Sequence, residues 1–227
     1  MIAVIVPVHN EEAYLAACLR SLREASRRRR LDGEPVLRLV VLDACTDASA
    51  DIARLWGVHV LRLQACNVGA ARALGAQWAI DRGARWLAFT DADSVVAPDW
   101  LSAQLALRSD AVCGTVAVSN WGDYGDRMRR HYDATYTDAD GHQHIHGANL
   151  GVSATAYRRA GGFQPLTSSE DVALVRALQA SGATIAWSAA PRVTTSARQL
   201  YKAPLGFGAT LQRIDAESQA VAAATAS

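Results

Sequence analysis

A chain of 227 residues that is half hydrophobic and one-fifth charged can build one full domain around its own core, which excludes global disorder. Its formal net charge of +1 excludes the broad positive field of a general nucleic-acid binder. Lys202 is the single lysine, so mechanisms that need several lysines are excluded as well.

Residues 2–8 (IAVIVPV) form a continuous apolar run, the pattern of a strand buried on both faces. A helix is expected over 11–30, with Leu15, Leu19 and Leu22 on one face, Asn10 as its cap and Glu11 and Glu12 at its positive end. The four arginines at 27–30 then fall in its last turn, where they suit the helix dipole rather than forming a phosphate-binding patch. A second strand is expected at 36–42, a helix near 48–56 after the turn-rich DACTDASA, and a third strand at 58–63. An Ala-rich helix at 68–80 and a fourth strand at 86–90 follow, the strand running straight into Asp91-Ala92-Asp93. This βαβαβαβ order implies a mostly parallel sheet with helices on both faces.

The second half is less regular. Pro98 opens a helix through 108, and 111–118 reads as a strand. The polar stretch 119–144 carries no clear period. HIHGANLGVS (144–153) reads as a strand and a glycine turn, 169–181 as a helix stopped by Gly182, and 184–187 and 192–195 as two short strands. From Pro204 an Ala-rich tail places Leu211, Ile214 and Val221 at helical spacing. Cys18, Cys45, Cys66 and Cys113 are widely spaced and read as free thiols of a reducing cytosol. Met1 runs into the first strand without a basic leader, and no apolar run approaches the ~20 residues of a bilayer span, so a cytoplasmic protein is expected.

Open α/β sheets bind ligands beyond the carboxyl ends of their strands. His9-Asn10-Glu11, Asp43 and Asp91-Ala92-Asp93 follow strands one, two and four. The first turn, VHNEE, is neither GxGxxG nor a P-loop. Six segments in one order carry a resemblance: VIVPVHNEEAYLAACLRSL (4–22), VVLDACTDASADIA (40–53), NVGAARALG (67–75), WLAFTDADSVVAPDWL (86–101), GANLGVSATAYRRAGGF (147–163) and SSEDVALVRAL (168–178). Over about residues 2–195 the chain resembles family 2 glycosyltransferases. The resemblance implies a GT-A (Rossmann-like) α/β fold: a single domain over 2–200 with a mostly parallel central sheet flanked by helices, and a short tail at 201–227. Two departures fall in the nucleotide half. Leu42 stands where the family has a second acid beside Asp43, and Ala73 where it has Asn.

The implied reaction moves a sugar, with inversion, from a nucleotide diphosphate donor to an acceptor hydroxyl. The departing diphosphate calls for a divalent cation, Mg²⁺ or Mn²⁺, and carboxylates are its natural ligands. By the resemblance, Asp93 is a direct ligand, and Asp91 meets the ribose or the metal through water. The attacking hydroxyl needs a base. The resemblance places it in the pair Glu170-Asp171, at Asp171, with Glu170 orienting the loop or the acceptor. Pro7, His9, Glu11, Asp43, Arg72 and Asp91 then surround the nucleotide. Asp43 can accept from a base N–H, and Arg72 can offer its fork to Asp43 or to a phosphate. His146, Gly147 and Asn149 lie in the segment that meets the acceptor.

Other readings accompany this one. His142, His144 and His146 alternate, so on a strand they would share a face and could bind a metal. Trp121, Tyr124 and Tyr132 could stack on a sugar or anchor a long loop. Arg192 and Arg198 could meet the diphosphate. The tail could touch a membrane surface. A non-catalytic sugar-nucleotide module, and a haloacid-dehalogenase-type phosphatase with Asp91 as nucleophile, are the alternatives. The sugar, the base and the acceptor are open, and nucleic acid is not an expected partner.

Overall fold

The apolar run at the N-terminus becomes the middle of a sheet. All seven residues of β1 (Ile2–Val8) are buried, and the strand pairs in parallel with β2 (Val36–Asp43) on one side and β4 (Trp86–Phe89) on the other. β3 (His59–Leu63) adds in parallel to β2. The remaining strands are β5 (Ser94–Val96), β6 (Ala111–Asn120), β7 (Leu150–Ser153) and β8 (Ile185–Ser196). The order across the sheet is β3-β2-β1-β4-β7-β6-β8-β5. Four of the seven neighbouring pairs are parallel, and the antiparallel ones all involve β7 or β5. The computed structural model describes residues 1–27, 31–121 and 125–196; Arg28 to Arg30, Tyr124, Arg198 and the tail 201–227 lie outside these.

Seven helices cover this sheet among the described residues: α1 (Leu15–Ala25), α2 (Ser49–Leu55), α3 (Val68–Ile80), α4 (Trp100–Ala106), α5 (Gly125–Thr135), α6 (Ala154–Arg159) and α7 (Glu170–Ala180). The period-2 alternation of β1 divides the core. Ile2, Val4, Val6 and Val8 pack with Leu15, Leu19 and Leu22 of α1 and with Trp100 and Leu101 of α4. Ala3 and Ile5 pack on the other face with Ala71, Ala76 and Ala79 of α3 and Leu174, Val175 and Leu178 of α7. Both faces are therefore dry, which is why β1 reads as an unbroken apolar run.

Several expectations need correction. Asn10 does not cap the first helix: it has φ 53° and its Oδ1 accepts from the backbone N–H of Thr46 (2.7 Å) and Asp47 (3.3 Å). α1 starts at Leu15 and ends at Ala25, so Arg27 lies beyond its last turn. The histidine segment is not a strand: a 3₁₀ turn occupies Gly147–Asn149 and β7 begins at Leu150. The two short strands expected at 184–187 and 192–195 are the halves of β8. Ser188 pairs with Gly114 and Val193 with Val116, which leaves 189–192, with Pro191 inside, as a wide bulge opposite Thr115. α5 lies within the stretch that carried no period, and β5 and α6 were not expected. Among the described residues, no helix is long and apolar enough to cross a membrane.

Candidate active site

The loops after the parallel strands β1, β2 and β4 leave the same end of the sheet, and α7 starts beside them. The joining element is the N-terminal turn of α3. Asn67 caps this helix by accepting from Ala70 N–H (2.8 Å), and its Nδ2 donates to the Leu166 carbonyl (2.9 Å). Gly69 allows that approach: a Cβ there would lie 2.4 Å from the Gln164 carbonyl oxygen and 3.2 Å from Glu170 Cβ. One turn on, Arg72 is carried between the two acidic segments.

Arg72 is the hub. Its side chain is 4% exposed; one arm donates to Asp91 Oδ1 (2.6 Å) and the other to Glu170 Oε1. The guanidinium lies 5.6 Å from the centre of the Phe163 ring. Burial pulls the Arg72 pKa down, but the charges of Asp91, Glu170 and Asp171 outweigh it and hold it above its ordinary value. Glu170 moves the other way. Burial raises its pKa, Arg72 opposes, and the neighbouring Asp171 and Asp91 raise it further. One guanidinium cannot balance three carboxylates, so the surplus negative charge weighs on the most enclosed of them. Arg72 was expected to offer its fork to Asp43 or to a phosphate; its fork is instead occupied by Asp91 and Glu170.

Asp171 is fixed by two backbone groups. Gly147 N–H donates to its Oδ2 (2.8 Å) and Val172 N–H to its Oδ1 (2.8 Å). Gly147 leaves room for the hub, since a Cβ would lie 2.4–2.7 Å from the Arg72 guanidinium and force it to shift. Asp91, Arg72, Glu170, Asp171 and Gly147 thus form one contiguous group drawn from the loop after β4, α3, α7 and the 3₁₀ turn. Asp93 stands two residues from Asp91, with Ala92 buried between them, and its Oδ1 lies 3.3 Å from Ser94 Oγ and 3.4 Å from Thr195 Oγ1. Cys18 donates to the Asp91 carbonyl (3.5 Å), and burial keeps this thiol protonated by raising its pKa.

The donor set has the chemistry of a hard-cation site. Asp91 and Asp93 offer carboxylate oxygens, Asp91 already carries the Arg72 ion pair, and the adjacent sulfur is a neutral thiol. Among the described residues, no cluster of three or more His, Cys, Asp or Glu could enclose a metal. Two carboxylates suit Mg²⁺ or Mn²⁺ when phosphate oxygens and water complete the shell.

The nucleotide-half residues sit at the ends of β1 and β2. Pro7 is buried within β1. His9 Nδ1–H donates to the Asp43 carbonyl (2.7 Å), and the backbone N–H of buried Glu11 donates to Ser49 Oγ (2.9 Å). Asp43 is 3% exposed, and its carboxylate accepts from the N–H groups of Ala65 (2.7 Å), Cys66 (2.9 Å) and Asn67 (2.6 Å). It therefore shapes the 65–67 loop directly ahead of α3.

Asn149, expected to meet the acceptor, is held in the core instead. It is fully buried; its Oδ1 accepts from Trp100 Nε1 (2.8 Å), and its Nδ2 donates to the carbonyls of Thr115 (2.7 Å) and Pro191 (2.8 Å). It braces the bulge of β8 and does not face the site. His142, His144 and His146 stack instead of converging, with ring centres 5.5 and 5.9 Å apart. Tyr136 stacks on His144 at 4.1 Å and its hydroxyl lies 3.0 Å from His146 Nε2. Burial and the neighbouring imidazoles push His146 down to about 4. Tyr132 donates to the Val116 carbonyl (2.6 Å), Val116 N–H donates to Tyr136 (2.9 Å), and Trp121 packs edge-on against Tyr132 (5.3 Å). These aromatic rings anchor α5 to β6. Arg192, offered to the diphosphate by sequence, is paired with Asp138.

Comparison with known proteins adds a family. The sequence model described as "Glycosyl transferase family 2" matches residues 3–161. The chain belongs to glycosyl transferase family 2. A putative glycosyltransferase, EpsH of Bacillus subtilis (strain 168), is 30% identical over 146 residues, which is 60% of this chain and 39% of that protein. S. aureus TarS 1–349 in complex with UDP-GlcNAc superposes with a TM-score of 0.66 at 18% identity, covering 95% of this chain and 65% of that one. The mannosyltransferase PcManGT from Pyrobaculum calidifontis, in complex with GDP-Man and Mn²⁺, superposes with a TM-score of 0.65 at 18% identity, covering 88% of this chain and 57% of that one. These likenesses establish the GT-A fold expected from sequence. The family 2 chain spans less than two thirds of the length of each of these relatives.

Proposed function

We propose that the chain is an inverting, cation-dependent glycosyltransferase that moves a sugar from a nucleoside diphosphate to an acceptor hydroxyl. One observation carries the reading: Arg72 binds the first acid of the β4 loop and the first acid of α7 at once. That shared guanidinium brings an acid pair suited to a metal diphosphate and an acid pair suited to a base around one space. Family membership and the nucleotide-sugar complexes of the structural relatives support the same reading. A phosphatase reading has no comparable support.

Asp93, with Asp91 through water, would hold a divalent cation, which would supply Lewis-acid stabilisation to the leaving diphosphate. Asp171 takes the proton of the acceptor hydroxyl as its oxygen attacks the anomeric carbon. The bond from that carbon to the diphosphate oxygen breaks, and the nucleoside diphosphate leaves with the electron pair. One displacement with one base inverts the anomeric centre. Base catalysis of this kind contributes ~10²–10⁴-fold. The N–H groups of Gly147 and Val172 hold the Asp171 carboxylate in place, and Arg72 and Glu170 hold the start of α7 against β4.

Pro7, His9, Glu11 and Asp43 border the nucleotide, with Asp43 acting through the 65–67 loop it closes. His146 and Gly147 border the acceptor, and Asn149 supports them from the core. The catalytic domain is residues 2–200, with the tail 201–227 outside it. The free cysteines among the described residues suit a reducing compartment such as the cytoplasm.

A melting screen against UDP- and GDP-sugars, with and without Mn²⁺, tests the donor class. A donor at ~100 times its dissociation constant adds about 2.7 kcal/mol, or several degrees at ~2–4 °C per kcal/mol for this size. The shift is expected with Mn²⁺ present and is lost in Asp93→Asn. A screen in which no sugar nucleotide raises the melting point, with or without Mn²⁺, overturns the proposal.

A further inference from the structure

The transfer reaction uses the carboxyl ends of the strands; the opposite end of the sheet holds a group of arginines that it leaves unexplained. Arg38 is the third residue of β2 and pairs in register with Val4. It stands five positions before Asp43, which at ~3.3 Å per residue puts it about 17 Å from that carboxylate end of β2. α1 runs back along the sheet and ends at Ala25, which places Arg23 and Arg27 at the same end. Arg38 Nη1 is buried and has no hydrogen-bond partner. Burial, and the like charges of Arg23 and Arg27, lower the Arg38 pKa from its ordinary value. The three arginines therefore gather at one end of the sheet, near enough for their like charges to repel.

An apolar element adjoins them. The Arg23 guanidinium lies 4.7 Å from the centre of the Trp56 ring, and the preceding residue, Leu55 at the end of α2, is 86% exposed. Among nearby acids, Asp51 is paired with Arg54, and Glu34 with Arg85 and the amino terminus, while Glu24 on α1 and Asp32 ahead of β2 are exposed and offset part of the positive charge. In the sequence the arginine run continues through residues 28–30. Arg27 already lies past the end of α1, so the helix dipole does not account for its charge.

We propose that this end of the molecule docks on an anionic bilayer surface, with the exposed Arg23 and Arg27 facing lipid phosphates, Arg38 adding positive charge behind them, and Leu55 entering the headgroup layer. Guanidiniums beside a tryptophan and an exposed leucine have the composition of an interfacial surface, whereas a free phosphate would engage the guanidiniums alone. The net charge of +1 makes this a local field and not a general attraction. Because lipid and donor use opposite ends of the sheet, docking stands or falls independently of the transfer chemistry.

Sedimentation of the full chain with phosphatidylglycerol/phosphatidylcholine vesicles, and with phosphatidylcholine alone, tests it. Binding is expected only with phosphatidylglycerol and should fall steeply with added salt. At about 5-fold per arginine, Arg23→Gln with Arg27→Gln should weaken partitioning about 25-fold. Leu55→Asp should weaken it as well. Arg129→Gln with Arg130→Gln changes net charge equally on exposed α5 and should leave it near the parent value. Melting curves establish that each variant is folded. Equal binding to both vesicle types, equal weakening by the two double variants, or binding of free glycerol phosphate with vesicle binding unaffected by the Arg23/Arg27 changes would each overturn the proposal.

Discussion

Replacing Arg72 by Met probes the hub with a side chain of similar reach and no charge. It removes two charge-assisted hydrogen bonds and leaves Glu170, with a side chain 8% exposed, beside Asp171 and without a cation. The Asp91 arm counts for less, because that side chain is 36% exposed and water screens it. Breaking a buried pair from one side typically destabilises by about 3–5 kcal/mol. At ~2–4 °C per kcal/mol for a chain of this size, the melting point at pH 7 should fall by roughly 6–20 °C. The deficit should depend on pH. Glu170 already has a folded pKa above its unfolded value, and loss of Arg72 raises it further. The folded state then binds the proton more tightly than the unfolded state, so stability is gained as pH falls and lost as pH rises through the folded pKa. The deficit should therefore shrink from pH 7 to pH 5, and adding Glu170→Gln should recover much of it at pH 7. A melting point within ~2 °C of the parent, or a deficit that is the same at both pH values, would refute the hub argument.

Three further outcomes follow from the same geometry. Gly147→Ala places a methyl 2.4–2.7 Å from the Arg72 guanidinium, so it should lower stability by about 1–3 kcal/mol in melts and displace the turn that holds Asp171. Asn149→Ala removes three buried hydrogen bonds and leaves Trp100 Nε1 without its acceptor; a loss of roughly 2–4 kcal/mol in urea unfolding is expected, and a loss under ~0.5 kcal/mol would contradict the bracing role. His146 is held at about 4 against 6.5 when free, so the unfolded chain takes up this proton first; stability should fall between pH 6.5 and 4 by at most about 3 kcal/mol, and His146→Gln should flatten that part of the stability curve.

How much of this was legible in the sequence depends on the range of the interaction. β1, β2 and β4 were readable because burial on both faces leaves an apolar run that needs no partner to be recognised. That Asp43, Asp91 and Asp93 share one end of the sheet was readable because they stand at the ends of those runs, whereas Glu170 and Asp171 open a helix and entered through the resemblance alone. The Arg72–Glu170 pair was not, because it joins residues 98 apart and depends on Gly69 admitting the 164–170 segment. Asn149 entered the acceptor set through the resemblance alone; the partners that enclose it, Trp100, Thr115 and Pro191, lie far away in the chain and leave no local signal. α5 is held by Tyr132 and Tyr136 through hydrogen bonds to Val116, and such anchors leave no hydrophobic period. The bulge at 189–192 split one strand into two apparent ones. Asn10 looked like a helix cap because the residue type is right; its oxygen serves the neighbouring loop instead.

Single-turnover sugar transfer by Asp171→Asn, measured beside calorimetric binding of the same donor with Mn²⁺, bears most directly on the paired-acid mechanism. The account predicts that transfer falls by ~10²–10⁴-fold while donor affinity stays within a few-fold of the parent. Transfer at the parent rate with unchanged affinity would contradict it.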